Sequence, residues 1–484
     1  MKKIALIFPL LAITLLVTFC EKNKDPLSGG EIDYSNITDI KYSEHVQALF
    51  NKECTGCHNA QQASAGLRLD AWNYVALGSE TAGGVIPFDS QNSRLMRMLT
   101  ELRVNGQLKP HPADQGRAAL DTSKTNFLAR WIDGGAKNDA GEVPFEHSHE
   151  HLYVCNQNAA SISIIDPHAF VVIRNIDLQE LGYPANAQPH LVTLSPDGEF
   201  WYVSLIGANK VLKFDAHDNE LLSEASTPVP ALLAHHPTEH VLYISRFMDP
   251  ANPQTSIYAV DSETMQPATG TNNGNISLPN SDVYHGLVMD ANYVYTASLA
   301  GGNIIVINHA TKEFLTALPL GANRQPLHLA LSPDSQTLYV SCIGTDEIAV
   351  VDVSDPANPA AVNFIPVGLD PWHLHTSHDG DHIYVGNNRS NDFCVIDAQT
   401  LTVQFFGAGD GSDGLSIPHG VVAVDHNLYF TGQNNTGDYV PKYDFGNNRF
   451  AGTVVMVHPS TYAIQKVLEV GDFATGIAIH HGHP

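Results

Sequence analysis

Short apolar stretches alternate with polar turns rich in Gly, Asn and Asp over the last two-thirds of the chain, residues 147–484. Within each stretch hydrophobic and polar positions alternate, which predicts half-buried β-strands. The stretches form seven units at a period of about 45 residues. Each unit has a tyrosine near the start of its clearest strand: Tyr153, Tyr202, Tyr243, Tyr295, Tyr339, Tyr384 and Tyr429. Seven such units predict an all-β, seven-bladed propeller.

The two ends of this repeat region complement each other. The first unit has no innermost strand before it, whereas the chain ends with one strand to spare, residues 476–479. We expect this last strand to complete the first blade. A ring closed in this way leaves no exposed strand edge.

Residues 37–140 have a helical pattern instead. Ser43 is placed to cap a first helix, and Asp121 is placed to cap a second helix that Gly134 ends. The apolar positions fall on one face of each helix: Val46, Leu49 and Phe50 on the first, and Phe127, Leu128, Trp131 and Ile132 on the second. The chain is therefore predicted to be multidomain, with a small all-α domain followed by the propeller.

The amino terminus has the pattern of an export signal. Met1 and two lysines precede an apolar run over residues 4–19, which predicts a signal peptide over residues 1–20. Residues 16–20 resemble a bacterial lipobox ending at Cys20, although Phe19 departs from the small residue usual at that position. A lipid anchor on Cys20 is the expectation, which would attach the protein to a membrane; a plain secreted protein and a retained membrane segment are the alternatives. Residues 21–36 are a polar tether.

The amino-acid composition limits the classes of partner that are expected. The chain has 484 residues, is 43% hydrophobic and 16% charged, and has a net charge of −26. These values are typical of a globular protein. Nucleic acids and anionic lipid surfaces require a basic face, so neither is expected as a partner.

Cys54-Thr55-Gly56-Cys57-His58 is the motif with the most specific chemistry. Two thiols at this spacing add to the two vinyl groups of a porphyrin, and the next imidazole becomes an axial iron ligand. The alternative is a thioredoxin-like redox pair. That reading requires a strand-to-helix context, which the residues before Cys54 do not provide.

Two family resemblances follow from these motifs. Residues 54–58, then 65–70, then 131–136 resemble, in the same order, the small cytochrome c modules of bacterial envelope proteins. The seven units resemble the YVTN-type propeller repeat, including residues 194–198 and 331–334. The first resemblance implies one covalent haem c on Cys54 and Cys57, with His58 as the proximal ligand. It also implies export and a redox partner protein in the cell envelope. The second implies a fold and hardly any function.

The sequence at the position expected for the sixth iron ligand differs from the pattern of that family. The family usually has a Met-Pro pair before its last helix, whereas residues 108–112 here contain no Met. His111 is the candidate preferred here, and it would give a bis-imidazole haem of lower potential. Lys109 is a weaker candidate, because its ammonium group must first lose a proton. Met96 and Met98 are expected to pack in the core, and an open sixth position is the remaining alternative.

A second set of histidines recurs in register. Five units carry a His ten to twelve residues before the tyrosine, at the position that begins the innermost strand: His190, His285, His328, His373 and His419. These imidazoles are expected to meet at the propeller axis, where they would suit copper or zinc. Nitrous oxide reductase resembles this arrangement in architecture alone. The alternative is that each His merely caps its strand, since a Pro-His dipeptide is common at this position in YVTN repeats.

Three functional hypotheses are compatible with these patterns. The first is electron transfer through the haem, with the propeller as a docking or substrate platform. The second is a periplasmic oxidoreductase with a metal or substrate at the histidine-lined axis. The third is a non-catalytic binding propeller with a haem sensor domain. In each case the protein is expected in the periplasm or at the outer membrane.

Overall fold

A computed structural model describes residues 32–79, 82–247, 254–424, 427–446 and 451–480. It contains a small helical region followed by a seven-bladed β-propeller. The predicted propeller is therefore confirmed. The predicted signal peptide, the lipidation site Cys20 and most of the tether lie outside the described residues. In the described part of the chain, no helix has the length and apolar character needed to cross a membrane.

The helical region has four α-helices, three of them short. A π-helical turn, Tyr42–Val46, leads into α1 (Gln47–Glu53), and α2 (Trp72–Leu77), α3 (Arg94–Thr100) and α4 (Thr122–Asp133) follow. Strands β1 (Arg103–Val104) and β2 (Gln107–Leu108) form a hairpin after α3. The faces of α1 and α4 that the sequence predicted are buried together in one core with residues of α2 and α3.

The two predicted helix starts have different outcomes. Asp121 caps α4 as expected, with its carboxylate accepting a hydrogen bond of 3.1 Å from the Lys124 amide. Ser43 is not a cap, because the helical turn already begins at Tyr42. The Ser43 amide instead donates to the carboxylate of Asp139, at 3.2 Å. A distant loop thus satisfies this helix terminus, which local spacing did not predict.

Seven four-stranded antiparallel sheets form the propeller. Blade 1 contains β3 (His151–Asn156), β4 (Ser161–Asp166) and β5 (Val171–Asp177); blade 2 contains β6 (Pro189–Leu194), β7 (Phe200–Leu205), β8 (Lys210–Asp215) and β9 (Leu221–Ser226). Blade 3 contains β10 (Pro230–His235), β11 (Val241–Arg246), β12 (Gln254–Asp261) and β13 (Asn275–Asp282); blade 4 contains β14 (Tyr284–Met289), β15 (Tyr293–Ser298), β16 (Asn303–Asn308) and β17 (Glu313–Pro319).

The remaining blades repeat this order. Blade 5 contains β18 (Pro326–Leu331), β19 (Thr337–Cys342), β20 (Glu347–Asp352) and β21 (Ala360–Pro366); blade 6 contains β22 (Pro371–Thr376), β23 (His382–Asn387), β24 (Asp392–Asp397) and β25 (Val403–Phe406). Blade 7 contains β26 (Pro418–Val424), β27 (Asn427–Gly432), β28 (Ala451–Val457) and β29 (Ile464–Asp472), and β30 (Ala474–His480) is the last strand. Strand β30 pairs with β3, so the chain end completes blade 1 as predicted.

Each innermost strand from β6 to β26 has an irregularity near its start. In blade 2, for example, Pro189 and Val192 pair with Leu205 and Val203, so the two residues between them face one residue of the second strand. The same one-residue shift occurs at the starts of β10, β14, β18, β22 and β26. A β-bulge bends its strand and redirects a side chain. In five blades the bulged segment contains the recurrent histidine.

A hydroxyl group on the second strand compensates for the bulge. Ser245 Oγ accepts a hydrogen bond from the Leu232 amide at 2.9 Å and donates to the carbonyl of His285 in the next blade at 2.6 Å. Ser204 makes the equivalent bonds to Leu191 and Ala231. Because buried backbone groups need partners, this hydroxyl satisfies the bulge and connects adjacent blades.

The helical region packs against blades 1 and 7. Arg94 of α3 forms an ion pair of 2.5 Å with Glu469 of β29, and the two side chains are 13% and 5% exposed. The Arg103 amide donates to the Asp444 carbonyl at 2.7 Å. These contacts join segments more than 300 residues apart in sequence.

Candidate functional site

The Cys54–His58 segment forms a tight turn directly after α1. The amides of Cys57 and His58 both donate to the Cys54 carbonyl at 3.1 Å. Cys54 and Cys57 are free thiols, so the structure contains no disulfide between them. The 65–70 segment lies against this turn, with the Leu69 amide donating to the His58 carbonyl at 2.9 Å. The first two motifs that carry the cytochrome c resemblance are therefore in contact.

The ring of His111 lies opposite the ring of His58, although 53 positions separate the two residues in the sequence. Their ring centroids lie 5.9 Å apart at an interplanar angle of 63°. Nδ1 of His111 lies 2.8 Å from a carboxylate oxygen of Asp114. Since a carboxylate only accepts, Nδ1 is the donor in this contact, and Nε2 is the ring nitrogen left for a metal. A histidine that binds a metal is commonly oriented in this way by a carboxylate.

These residues fit a haem iron. An imidazole nitrogen binds a metal at about 2 Å and the ring centre lies roughly 1 Å farther back, so two rings that share one ion have centres about 6 Å apart. The observed separation of 5.9 Å matches this requirement. Burial lowers the pKa of His58, and His111 acts in the same direction, which keeps a lone pair available at neutral pH. Nδ1 of His58 is buried and makes no hydrogen bond of ordinary geometry. The backbone groups of Leu67 and Ser64 raise the pKa of this ring, against the effect of burial.

The other candidates for the sixth ligand are in different surroundings. Lys109 is exposed, and its Nζ donates to the Asp114 carbonyl at 3.4 Å. Met96 is buried in the core of the helical region, as predicted. Met98 is half-buried, and its carbonyl accepts a hydrogen bond of 2.8 Å from the His111 amide. The geometry therefore favours His111.

The five recurrent histidines of the propeller meet in one cluster. Each lies at the second or third position of an innermost strand, and all except His328 are at most 3% exposed. Four of the rings form a closed circuit with successive centroid separations of 5.5, 6.4, 4.3 and 5.3 Å, in the order His190, His285, His373, His419 and back to His190. We call these four residues the axial histidines. His328 stacks on His373 at 4.1 Å.

Burial keeps this cluster uncharged at neutral pH. It lowers the pKa of His285 to about 4 and that of His328 to about 3. The pKa values of His190, His373 and His419 are also well below the usual value, first because of burial and then because of neighbouring imidazoles. His328 keeps some accessible surface although protein surrounds it, as expected for a residue that lines a narrow channel.

A further group was missed from the sequence. Ligand atoms of His236, Glu239 and His309 lie within 4.8 Å of one another. However, both nitrogens of His236 are engaged by backbone groups: Nε2 with the Ala291 carbonyl at 2.9 Å and Nδ1 with the Glu239 amide at 2.8 Å. We interpret this group as a structural hydrogen-bond network. These three residues follow no repeated spacing that would have revealed the group.

Comparisons with known proteins support the propeller. Residues 220–405, less than half of the chain, match the family described as Lactonase, 7-bladed beta-propeller. No curated protein matches the chain.

Solved structures are similar at low identity. Hydrazine synthase from Kuenenia stuttgartiensis is 18% identical over 55% of this chain and 76% of its own, with a TM-score of 0.44. A functionally unknown protein from Desulfotomaculum acetoxidans DSM 771 is 14% identical over 69% of this chain and 99% of its own, with a TM-score of 0.52. The dihydro-heme d1 dehydrogenase NirN, in complex with DHE, is 12% identical over 89% and 98%, with a TM-score of 0.48. The second supports the fold alone, and the other two carry no argument.

Proposed function

We propose that this protein is an exported haem c protein that transfers electrons, with a cytochrome c domain as its redox module. The observation that carries the proposal is the His58–His111 pair, in which the Asp114 carboxylate holds Nδ1 of His111. Cys54 and Cys57 would attach the porphyrin through thioether bonds, and the two imidazoles would hold its iron. A haem bound in this way supplies reversible one-electron transfer.

The residues around the motif keep the ligands in place. The Leu69 amide fixes the carbonyl of His58, and the Met98 carbonyl fixes the amide of His111. Lys124 of α4 forms an ion pair of 2.8 Å with Glu53, the last residue of α1, directly before Cys54. Both candidate ligands are therefore anchored by backbone contacts as well as by the core. A redox site benefits from this rigidity, because little rearrangement then accompanies the change in iron charge.

The propeller would be the platform on which a redox partner or a substrate docks. The negative net charge favours a partner with a basic surface. We place the protein in the periplasm or at the outer membrane, because covalent haem attachment by this motif occurs in exported proteins. An anchor on Cys20 would hold it at the membrane. A periplasmic oxidoreductase is the second candidate, and the axial histidines are the observation that favours it.

The proposal is tested on the full chain produced with haem maturation. The expected result is one covalently bound haem with a low-spin visible and EPR spectrum. His111→Ala should convert the haem to a high-spin form that binds carbon monoxide, while the haem stays attached. The matched control is Met98→Leu, which removes a neighbouring sulfur and should leave the spectrum low-spin.

Two results would overturn parts of this assignment. Absence of covalent haem in the wild-type chain, with the haem maturation system shown to work on another protein, would contradict the haem c proposal itself. A low-spin spectrum that persists in His111→Ala and disappears in Met98→Leu would assign the sixth ligand to methionine. For localisation, release of the protein from membranes by Cys20→Ala would support the anchor, and unchanged distribution would refute it.

A further inference from the structure

We propose that the axial histidines His190, His285, His373 and His419 form a tetrahedral binding site for one late transition-metal ion, and that this ion is monovalent copper in preference to zinc. This site lies in the propeller and does not depend on the haem. The proposal therefore extends beyond the electron-transfer function, and either one can fail without the other.

Four of the six ring separations that define a tetrahedron are recorded, and they lie near the value that tetrahedral coordination requires. With a metal–nitrogen bond of about 2 Å and a ring centre roughly 1 Å behind the nitrogen, four tetrahedral imidazoles have centres about 5 Å apart. The four observed separations range from 4.3 to 6.4 Å. The Nε2 atoms of His190 and His285 lie 3.3 Å apart. This distance equals the edge of a tetrahedron with bonds of about 2.0 Å.

Hydrogen bonding already selects the correct nitrogen on His190. Its Nδ1 lies 3.1 Å from Oε1 of Gln157, a buried side chain of blade 1. Because an amide oxygen accepts, Nδ1 carries the proton and Nε2 presents its lone pair toward His285. A hydrogen bond of this kind behind a ligating imidazole orients the ring and fixes its tautomer.

The other side of the circuit contains buried nitrogens without a hydrogen-bond partner. Both ring nitrogens of His419 and Nε2 of His373 are in this state. Leaving such a group buried and unsatisfied is unfavourable. The His419 ring therefore loses no hydrogen bond when it rotates toward an ion, and coordination would satisfy an unpartnered nitrogen on each of the two rings. A rotation is required, since the His190–His285 contact is the one hydrogen-bond-length contact recorded between axial nitrogens in the described residues.

The charge of the groups around the axial histidines affects which metal ion binds more favourably. The contacts recorded for the axial rings are with each other, with His328, with the Leu327 backbone and with three neutral side chains, Gln157, Phe247 and Trp372. Cu⁺ and Zn²⁺ have filled d shells, and both accept tetrahedral imidazole ligands. The cost of burying an ion without a counter-charge grows with the square of its charge. A neutral ligand set thus favours the monovalent ion.

The test uses the mature chain without an affinity tag, depleted of metal by a mild chelator. Cu⁺ is added anaerobically in competition with a chromogenic Cu⁺ chelator, and Zn²⁺ is titrated in a parallel sample. We expect one equivalent of Cu⁺ per chain in addition to any iron, with four nitrogen ligands by X-ray absorption. The double variant His190→Ala/His419→Ala should lose this equivalent. Gln157→Leu, which removes no ligand, should weaken it by about 10–100-fold.

The matched control is His309→Gln, which removes a buried histidine that contacts none of the axial rings. It should keep the full copper equivalent. The site is refuted if wild-type protein binds neither ion, or if His190→Ala/His419→Ala binds copper as tightly as wild type. If that double variant does not fold, Gln157→Leu with native circular dichroism decides the matter: unchanged affinity would overturn the assigned role of His190. Stoichiometric Zn²⁺ with no Cu⁺ would overturn the copper preference.

Discussion

The hydroxyl of Ser245 donates a hydrogen bond of 2.6 Å to the backbone carbonyl of His285 in the neighbouring blade. The same hydroxyl accepts the amide of Leu232, which the bulge in β10 leaves without a ladder partner. One side chain therefore satisfies the bulge of its own blade and fixes the backbone that carries an axial histidine. This contact links propeller closure directly to the geometry of the histidine cluster.

Replacing Ser245 by Ala should therefore destabilise the propeller. The change leaves a buried amide and a buried carbonyl without their partner, at a cost of about 1–3 kcal/mol. Urea denaturation measures the change. Ser245→Thr is the control, because blade 7 uses Thr431 at the corresponding position and the hydroxyl is retained. Equal loss in the Ala and Thr variants would show that the hydrogen bonds are not the cause.

The contact between Asp114 and His111 leads to a second prediction. Asp114→Ala removes the acceptor that orients His111 and keeps its Nδ1 protonated. Loss of such a partner commonly weakens metal ligation by about 10–100-fold. In the haem-loaded protein, His111 should then be displaced by carbon monoxide or cyanide at correspondingly lower concentrations. The measurement is a ligand titration followed in the visible spectrum.

The control for this titration is Gln115→Ala. Gln115 also contacts Asp114, but through the other carboxylate oxygen and at an exposed position. Its removal should not change ligand displacement. If Asp114→Ala behaved in the same way as Gln115→Ala, the carboxylate would have no role in holding His111.

The sequence predicted much of this arrangement, for reasons that particular residues make clear. The alternation of hydrophobic and polar residues around Tyr202 or Tyr339 is a local pattern. The Pro-His dipeptide that predicted the position of His190 and His419 on innermost strands is local as well. The prediction that Ser43 caps the first helix was wrong, because the carboxylate of Asp139, 96 residues away, accepts the hydrogen bond from the Ser43 amide. The pairing of His58 with His111 depends on how α3 and the following hairpin pack, and the Arg94–Glu469 contact spans 375 positions. No local pattern encodes these contacts.

The buried histidines predict a specific pH dependence. Burial lowers the pKa of His285 to about 4 in the folded chain, whereas an unfolded His titrates near 6.5. Between these pH values the unfolded chain binds a proton that the folded chain does not. Stability is thus complete above about pH 6.5 and falls as the pH decreases toward 4. In metal-free protein, each such histidine should contribute a slope of about 1.4 kcal/mol per pH unit.

Denaturation of metal-free protein at several values between pH 7 and pH 4.5 measures this slope. His285→Asn should flatten it by nearly one proton, because the titrating group is gone. His217→Asn, at an exposed position, should leave it unchanged. If both variants kept the wild-type slope, the acid sensitivity would come from groups other than His285.

The buried ion pair between Arg94 and Glu469 should determine how firmly the helical region is held against the propeller. Glu469 also accepts hydrogen bonds from the Tyr439 hydroxyl at 3.3 Å and the Lys442 amide at 3.1 Å. Glu469→Gln keeps the shape of the side chain but leaves the Arg94 charge buried and uncompensated. Removing one partner of a buried pair costs about 3–5 kcal/mol. We expect calorimetry to show the helical region unfolding separately and at a lower temperature.

A surface pair provides the comparison. Glu101 pairs with Arg97 at 3.1 Å on the same helical segment, and their side chains are 41% and 22% exposed. Solvent screens such a pair, so Glu101→Gln should change stability by less than about 1 kcal/mol. Limited proteolysis between residues 137 and 150 gives an independent readout, since a loosened interface exposes this connection. If the two variants were cleaved at the same rate, the Arg94–Glu469 pair would not be what fastens the helical region to blades 1 and 7.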